Sequence, residues 1–281
     1  MYPFASKISG THALVTGNVD IYGHNSGGTK GIGRLIVQAL LAEGANVSYC
    51  ARNPRGDEFS AFQGVADNAR AVGSTVDIAN PTDIKKWVKK SVDEFGRIDC
   101  VVANASPIYQ DPTPEHWEKS FNADIMGLVS LLEATEPYLV ERARAGGSPS
   151  VVVITSLAGY DLVLPTIGSP YTTFTRAKPV IAKDYARKFA PLGVRVNTLA
   201  LGLVNTPNIT HPDGSVEWST YQTFKKNNPD VVKALEDKVP LKRAAECEEI
   251  ANVVVFLASS LSSYVCGATI TVDGSFSTAL V

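Results

Sequence analysis

The run SPYTTFTRAK places Tyr171 at the start of a helical stretch that follows the apolar strand SVVVITS. A phenol in that position is a candidate catalytic acid. Its free pKa of about 10 leaves roughly one molecule in a thousand ionised at neutral pH, so it can donate a proton to an oxygen gaining negative charge. The reverse reaction needs a tyrosinate base, and a tyrosinate needs a nearby cation. One helical turn on, where such a cation could sit, the residue is Thr175. Lys178 lies two turns on, about 10.5 Å along the axis and a long reach for its stem, with Pro179 beside it. Arg176 points to a different face, and both cations are expected to be exposed. Two carboxylates complete the candidates: Asp124 in NADIMG and Asp161 in SLAGYD. Either could act as a base, and Asp161 could equally bond its own backbone in a loop.

A different chemistry is suggested near the start. The strand HALVTG and the helix GIGRLIVQALLAEG are joined through Gly17 and GTKGIG, residues 28–33. A strand, a glycine-rich turn and a helix N-terminus together make an anion cradle, because backbone N–H groups and the helix dipole face the ligand. An ordinary strand–helix turn is the plain alternative. Ten residues, NVDIYGHNSG at 18–27, separate the two halves; they either bulge outward or fold over a ligand. His24 within them reads as exposed.

These residues must be held by a repeating frame. Short apolar strands (HALVTG, NVSYCAR, STVDI, IDCVVANA, SVVVITS, VRVNTLALG, TITVDG) alternate with helical segments. The helices are expected at 31–44, 57–69, 81–96, 114–123, 125–144 and 171–190, with a last one over AECEEIANVVVFLASS. Strand–helix alternation implies a parallel sheet covered on both faces. The expected architecture is therefore α/β, a single doubly wound Rossmann-type domain over 1–281 with a mostly parallel seven-stranded sheet. Residues 203–240, rich in loop signals, are its one irregular excursion.

Composition narrows the class. With 26 Lys+Arg against 28 Asp+Glu the formal charge is −2, so no field draws the chain to nucleic acid or anionic lipid. No apolar run approaches the ~20 residues of a membrane span, and the start lacks a signal-peptide pattern, which points to a cytoplasmic protein. Cys50, Cys100, Cys247 and Cys266 form no CxxC pair, and the first two read as buried free thiols; no metal site is expected.

Taken in order, these motifs resemble the short-chain dehydrogenase/reductase family from about residue 8 to 276. Its TGxxxGIG motif is similar to TG…GTKGIG, its NAG turn to NAS at 104–106, and its PG turn to LG at 201–202. The resemblance implies a nicotinamide cofactor held by Gly17, Lys30, Gly31, Ile32, Gly33, Arg52, Asp77, Ile78, Asn104, Ala105, Val204 and Thr206. It also implies that Ser156 and Tyr171 bind a substrate carbonyl, with 203–240 as the lid. The family's lysine falls at Thr175 and its asparagine at Asp124, with Asn122 two residues earlier. Gly becomes Ser106 and Pro becomes Leu201.

Arg52 stands where NAD-binding members carry an acid, and Lys30 precedes Gly31, so NADP(H) is the expected cofactor. Trp218, Tyr221, Phe224 and His211 in the lid suit a large apolar or aromatic small-molecule substrate, or simply pack the lid. Family members commonly form homotetramers or dimers. Three functions follow. The first is an NADPH-dependent reductase of a ketone or imine in secondary metabolism, with the proton from Tyr171; this needs only a neutral phenol. The second is a cyclase or isomerase that keeps the cofactor and uses Asp124 or Asp161. The third is a silent nucleotide-binding protein.

Overall fold

The computed structural model describes residues 6–17, 31–52, 54, 62, 64–66, 68–109, 111–160, 169–210 and 214–278. Seven strands make one sheet, all neighbours parallel: β1 His12–Thr16, β2 Asn46–Ala51, β3 Ala71–Thr75, β4 Cys100–Ala103, β5 Ser150–Ser156, β6 Arg195–Leu201 and β7 Thr269–Val272. Their order is β7-β6-β5-β4-β1-β2-β3, so the winding reverses between β1 and β4. Ligands of such sheets bind beyond the carboxyl ends of the strands at this reversal.

The central strands β1, β4, β5 and β6 are almost wholly buried, as a sheet covered on both faces requires. Two apolar clusters fill the faces. One joins Leu14, Val101 and Val151 to α2 (Pro81–Phe95), α4 (Gly127–Arg144) and α5 (Pro170–Phe189). The other joins Val15, Val102 and Val152 to α1 (Gly31–Ala42) and α8 (Cys247–Ala258). The punctuation follows the sequence: Asn80 caps α2 with Pro81 in its first turn, and Gly96 closes it at φ 76°.

Some expectations shift. β3 begins three residues before STVDI and ends at Thr75. The stretch expected to be helical to Ala69 is a turn at its described end, where Asn68 takes φ 58° and Ala69 bonds back to Ala66. The excursion contains α6 (Thr220–Asn227), α7 (Pro229–Lys238) and a two-residue hairpin pairing Ile209–Thr210 with Val216–Glu217. Tyr221 packs there against Val232 and Ala244 and donates to Glu236 Oε1 at 2.9 Å, while Trp218 and Phe224 are exposed. His211 lies outside the described residues. Cys50, Cys100 and Cys247 are buried and free, and Cys266 is exposed.

At the amino end of the sheet, His12 is buried with both ring nitrogens engaged. Nδ1 donates to the Arg97 carbonyl at 2.5 Å, and Nε2 accepts from Ser48 Oγ at 2.9 Å. Burial pulls the imidazole pKa down to about 4, against the opposing pull of that carbonyl and of Asp99. The unfolded chain therefore takes up a proton below pH 6.5 that the folded chain refuses. Stability present above pH 6.5 should fall by about 3 kcal/mol as the pH drops towards 4. Thermal melts across this range should show a flatter slope in His12→Asn, although that variant is weaker at pH 7.

Candidate active site

The site assembles where β1 and β4 part. Thr16 ends β1, and its hydroxyl accepts from the backbone N–H groups of Asn104 (2.9 Å) and Ala105 (3.1 Å). Asn104 Nδ2 returns a bond to the Thr16 carbonyl at 3.1 Å. This clamp fixes the crevice beside Gly17. Gly31 opens α1 at φ 52°, and a Cβ there would lie 3.6 Å from the Thr206 methyl. Ser219 Oγ ties the Thr206 carbonyl at 2.6 Å, and Val204 is fixed by pairing with Ala245. Ile32 is half-buried and Gly33 buried, turned from this opening into the helix–sheet contact.

Asp77 is exposed, with Oδ1 accepting from the Ala79 N–H at 3.0 Å. Ile78 beside it is buried, and its carbonyl would lie 2.5 Å from a Cβ on Gly127, so only glycine lets α4 approach this edge. Arg52 is exposed at the end of β2. A glycine helix start, a clamp at the winding reversal and polar groups along the same strand ends fit a dinucleotide. Lys30 and the insert 18–27 lie outside the described residues, as does Asp161.

Tyr171 sits at the second position of α5, which Ser169 caps by accepting from the Thr172 N–H at 3.2 Å. The Tyr171 N–H is held by the Tyr109 carbonyl at 3.2 Å, and the Tyr109 ring stacks on His116 at 4.3 Å. The phenol bonds the Ser156 hydroxyl, whose oxygen also accepts from the Ala158 N–H at 3.1 Å. Burial raises the Tyr171 pKa above 10; the Ser156 bond opposes the rise and the Asp124 carboxylate adds to it. Ser156 and Tyr171 are thus brought together.

Thr175 is buried and turned back on its own helix, its hydroxyl donating to the Tyr171 carbonyl at 2.7 Å. Its own carbonyl has lost its usual N–H partner to Pro179, four residues on, and accepts instead from Thr155 Oγ1 at 2.6 Å. α5 consequently runs through the proline to Phe189.

The expectation that Lys178 is exposed is overturned. Its side chain is 3% exposed and its Nζ lies 2.6 Å from Asp124 Oδ1, whose side chain is fully buried. The unbroken helix aims Lys178 inward, and a carboxylate offsets the cost of burying the ammonium. Arg176 stays exposed and donates to the Gly159 carbonyl at 3.2 Å. Asp124 comes from a π-turn, Phe121–Met126, in which the Gly127 N–H reaches back to the Asn122 carbonyl. The wide turn carries Asp124 inside, while Asn122 stays at the surface side. Burial lifts the Asp124 carboxyl above the ordinary range, with Lys178 pulling it back. A cavity of about 20 Å³ touches both members of the pair and is otherwise lined mainly by apolar groups such as Ile84, Leu128 and Val153. Among the described residues no cluster of three metal-ligating side chains occurs, and no helix is long and apolar enough to cross a membrane.

Comparison with known proteins places this geometry. The family described as enoyl-(acyl carrier protein) reductase matches residues 27–277. Isoepoxydon dehydrogenase of Penicillium expansum is 36% identical over 270 residues, covering 95% of both chains. Its counterpart in Aspergillus clavatus is 36% identical over 273 residues, covering 96% of each. Among solved structures, the RhlG/NADP active-site complex of Pseudomonas aeruginosa superposes with a TM-score of 0.80 at 23% identity, over 98% of this chain and 99% of that one. Levodione reductase superposes at 0.78 with 24% identity, over 95% and 98%.

Proposed function

Because the chain belongs to the short-chain dehydrogenase/reductase superfamily, and is an oxidoreductase of that type, we propose that it is an NADPH-dependent reductase of a ketone in secondary metabolism. The observation that carries this reading is the Tyr171 phenol, bonded to Ser156 and without a cation one turn away.

A bound reduced nicotinamide supplies the hydride. The chain's own residues do the rest. Ser156 and Tyr171 both bond the substrate carbonyl oxygen, which orients it and takes up its growing negative charge. Tyr171 then passes its proton to that oxygen. Thr175, by gripping the Tyr171 carbonyl, holds the first turn of α5 in place. Gly31, Thr206, Asn104, Ala105 and Asp77 would hold the dinucleotide, and Arg52 with Lys30 would favour the 2′-phosphate of NADP(H). Asp124 is paired with Lys178, which speaks for this redox reading over a cyclase or isomerase using Asp124 as a free base.

Isoepoxydon, named in the relatives at 36% identity, and its oxidised ketone are the first compounds to test, with NADPH consumption and NADP⁺ reduction followed by absorbance at 340 nm. Absence of turnover in both directions across these and a panel of cyclic ketones would remove the proposal. Arg52→Ala should raise KM for NADPH roughly tenfold, equivalent to about 1.4 kcal/mol, and leave KM for NADH unchanged. Equal effects on the two cofactors would remove Arg52 from the 2′-phosphate site. Activity as an assembled homo-oligomer in the cytoplasm completes the reading.

A further inference from the structure

The helix that carries Tyr171 is held at its start by a loop from a different strand. An α-helix leaves its first N–H groups without partners inside the helix. At the start of α5, Pro170 has no N–H, and the Ser169 hydroxyl takes that of Thr172 at 3.2 Å. The Tyr171 N–H goes to the Tyr109 carbonyl, also at 3.2 Å, while Thr175 grips the Tyr171 carbonyl. Tyr109 lies on the loop that leaves β4 through the Asn104–Ala105 clamp. Its ring lies on His116, with centroids 4.3 Å apart and planes 12° from parallel. His116 belongs to α3 (Pro114–Ser120), whose start Thr113 fixes by accepting from the His116 N–H at 3.2 Å. Nδ1 of His116 donates to the Asp111 carbonyl at 3.1 Å, which orients the ring. The next residue, Trp117, meets Phe174 of α5 edge-on at 5.5 Å. Adjacent residues of α3 therefore reach α5 twice, His116 through Tyr109 and Trp117 directly, at neighbouring positions on one side of the helix. A backbone bond of 3.2 Å is at the long end of the usual range, so its persistence depends on what fixes Tyr109.

We propose that His116 is a positioning residue: by stacking on Tyr109 it keeps the Tyr109 carbonyl on the Tyr171 N–H, and so sets where the phenol stands beside Ser156. The kinetic consequence rests on Tyr171 being the proton donor. A reacting group displaced by about 1 Å loses on the order of 10²-fold in rate, so a loosened first turn of α5 should slow the chemistry without touching the cofactor.

Hydrogen exchange at the Tyr171 amide, read at single-residue resolution by mass spectrometry with electron-transfer fragmentation, needs no substrate. His116→Ala should speed it roughly tenfold and leave the Thr172 amide, held by Ser169, unchanged. With the ketone formed by oxidation of isoepoxydon, kcat for reduction should fall roughly tenfold in the same variant, while KM for NADPH and Tm stay nearly as in the parent. An unchanged exchange rate or an unchanged kcat overturns the proposal. His116→Phe keeps a flat ring on Tyr109 and should restore most of both. In a Tyr171→Phe background, His116→Ala should leave the residual rate as it is, because no phenol remains to be placed. A second tenfold loss there would mean that His116 acts on the substrate or on the fold at large, and that result also overturns the proposal. Should His116→Ala fail to fold, Tyr109→Leu removes the same stack and carries the same expectations. Normal turnover in Tyr171→Phe would instead sink the functional reading, while leaving the amide exchange to judge His116 on its own.

Discussion

Phenylalanine at position 171 is expected to cut the kcat of carbonyl reduction by roughly 10²- to 10⁴-fold, the usual worth of a placed general acid. The substitution removes one oxygen, and with it both the proton and one of two hydrogen bonds to the carbonyl. Ser156 remains and still caps its own turn through the Ala158 N–H, so residual orientation survives. The ring's fit in α5 and the backbone anchors at Tyr109 and Thr175 do not involve the hydroxyl. Tm should therefore stay within a few degrees and NADPH binding should be nearly unchanged. Steady-state kinetics beside a fluorescence titration of NADPH separates the two. A variant that loses cofactor affinity and turnover together would mean that Tyr171 holds the ligand and not the proton.

Lys178→Met should have the largest effect on stability. Removing one partner of a buried pair strands the other, at a cost of about 3–5 kcal/mol. Asp124 is left without its cation, and must protonate or draw water into the small cavity beside it. The accompanying double variant Asp124→Asn/Lys178→Met should recover most of the loss, because no ion then remains inside. Denaturant unfolding of the parent, the two single variants Lys178→Met and Asp124→Asn, and the double variant forms a complete cycle. A coupling near zero would mean that the two groups do not interact in solution.

Much of this could be read from residue types alone. Alternating apolar strands and helices made the seven-stranded sheet legible because the central strands are short, rich in β-branched residues and buried, and helices such as α2 carry their own stop signal at Gly96. Ser156 and Tyr171 were legible because a strand end and the following helix start are local features, and local spacing decides where they point. The fate of Lys178 was not legible. Judged singly, a lysine two turns from Tyr171 beside a proline belongs at the surface; its burial depends on Asp124, which is remote in sequence and visible only once the chain is folded. The π-turn that brings Asp124 inside leaves no signature of its own, since one widened turn only shifts the phase of the helical period that follows it. The proline was also misleading. Its damage is repaired by Thr155, on a strand that the sequence connects to α5 only through a long intervening segment. The aromatics of 203–240 were legible as apolar and illegible as to target: Tyr221 turned inward to Glu236 and Trp218 outward.

The buried pair also has an evolutionary consequence. A substitution at either Lys178 or Asp124 alone passes through a less stable protein than either end state, so the two positions are epistatic. A lineage that has acquired both cannot easily give up one. A lysine placed at position 175 would add a second ammonium to an interior with one carboxylate to share, so that single change should also cost stability.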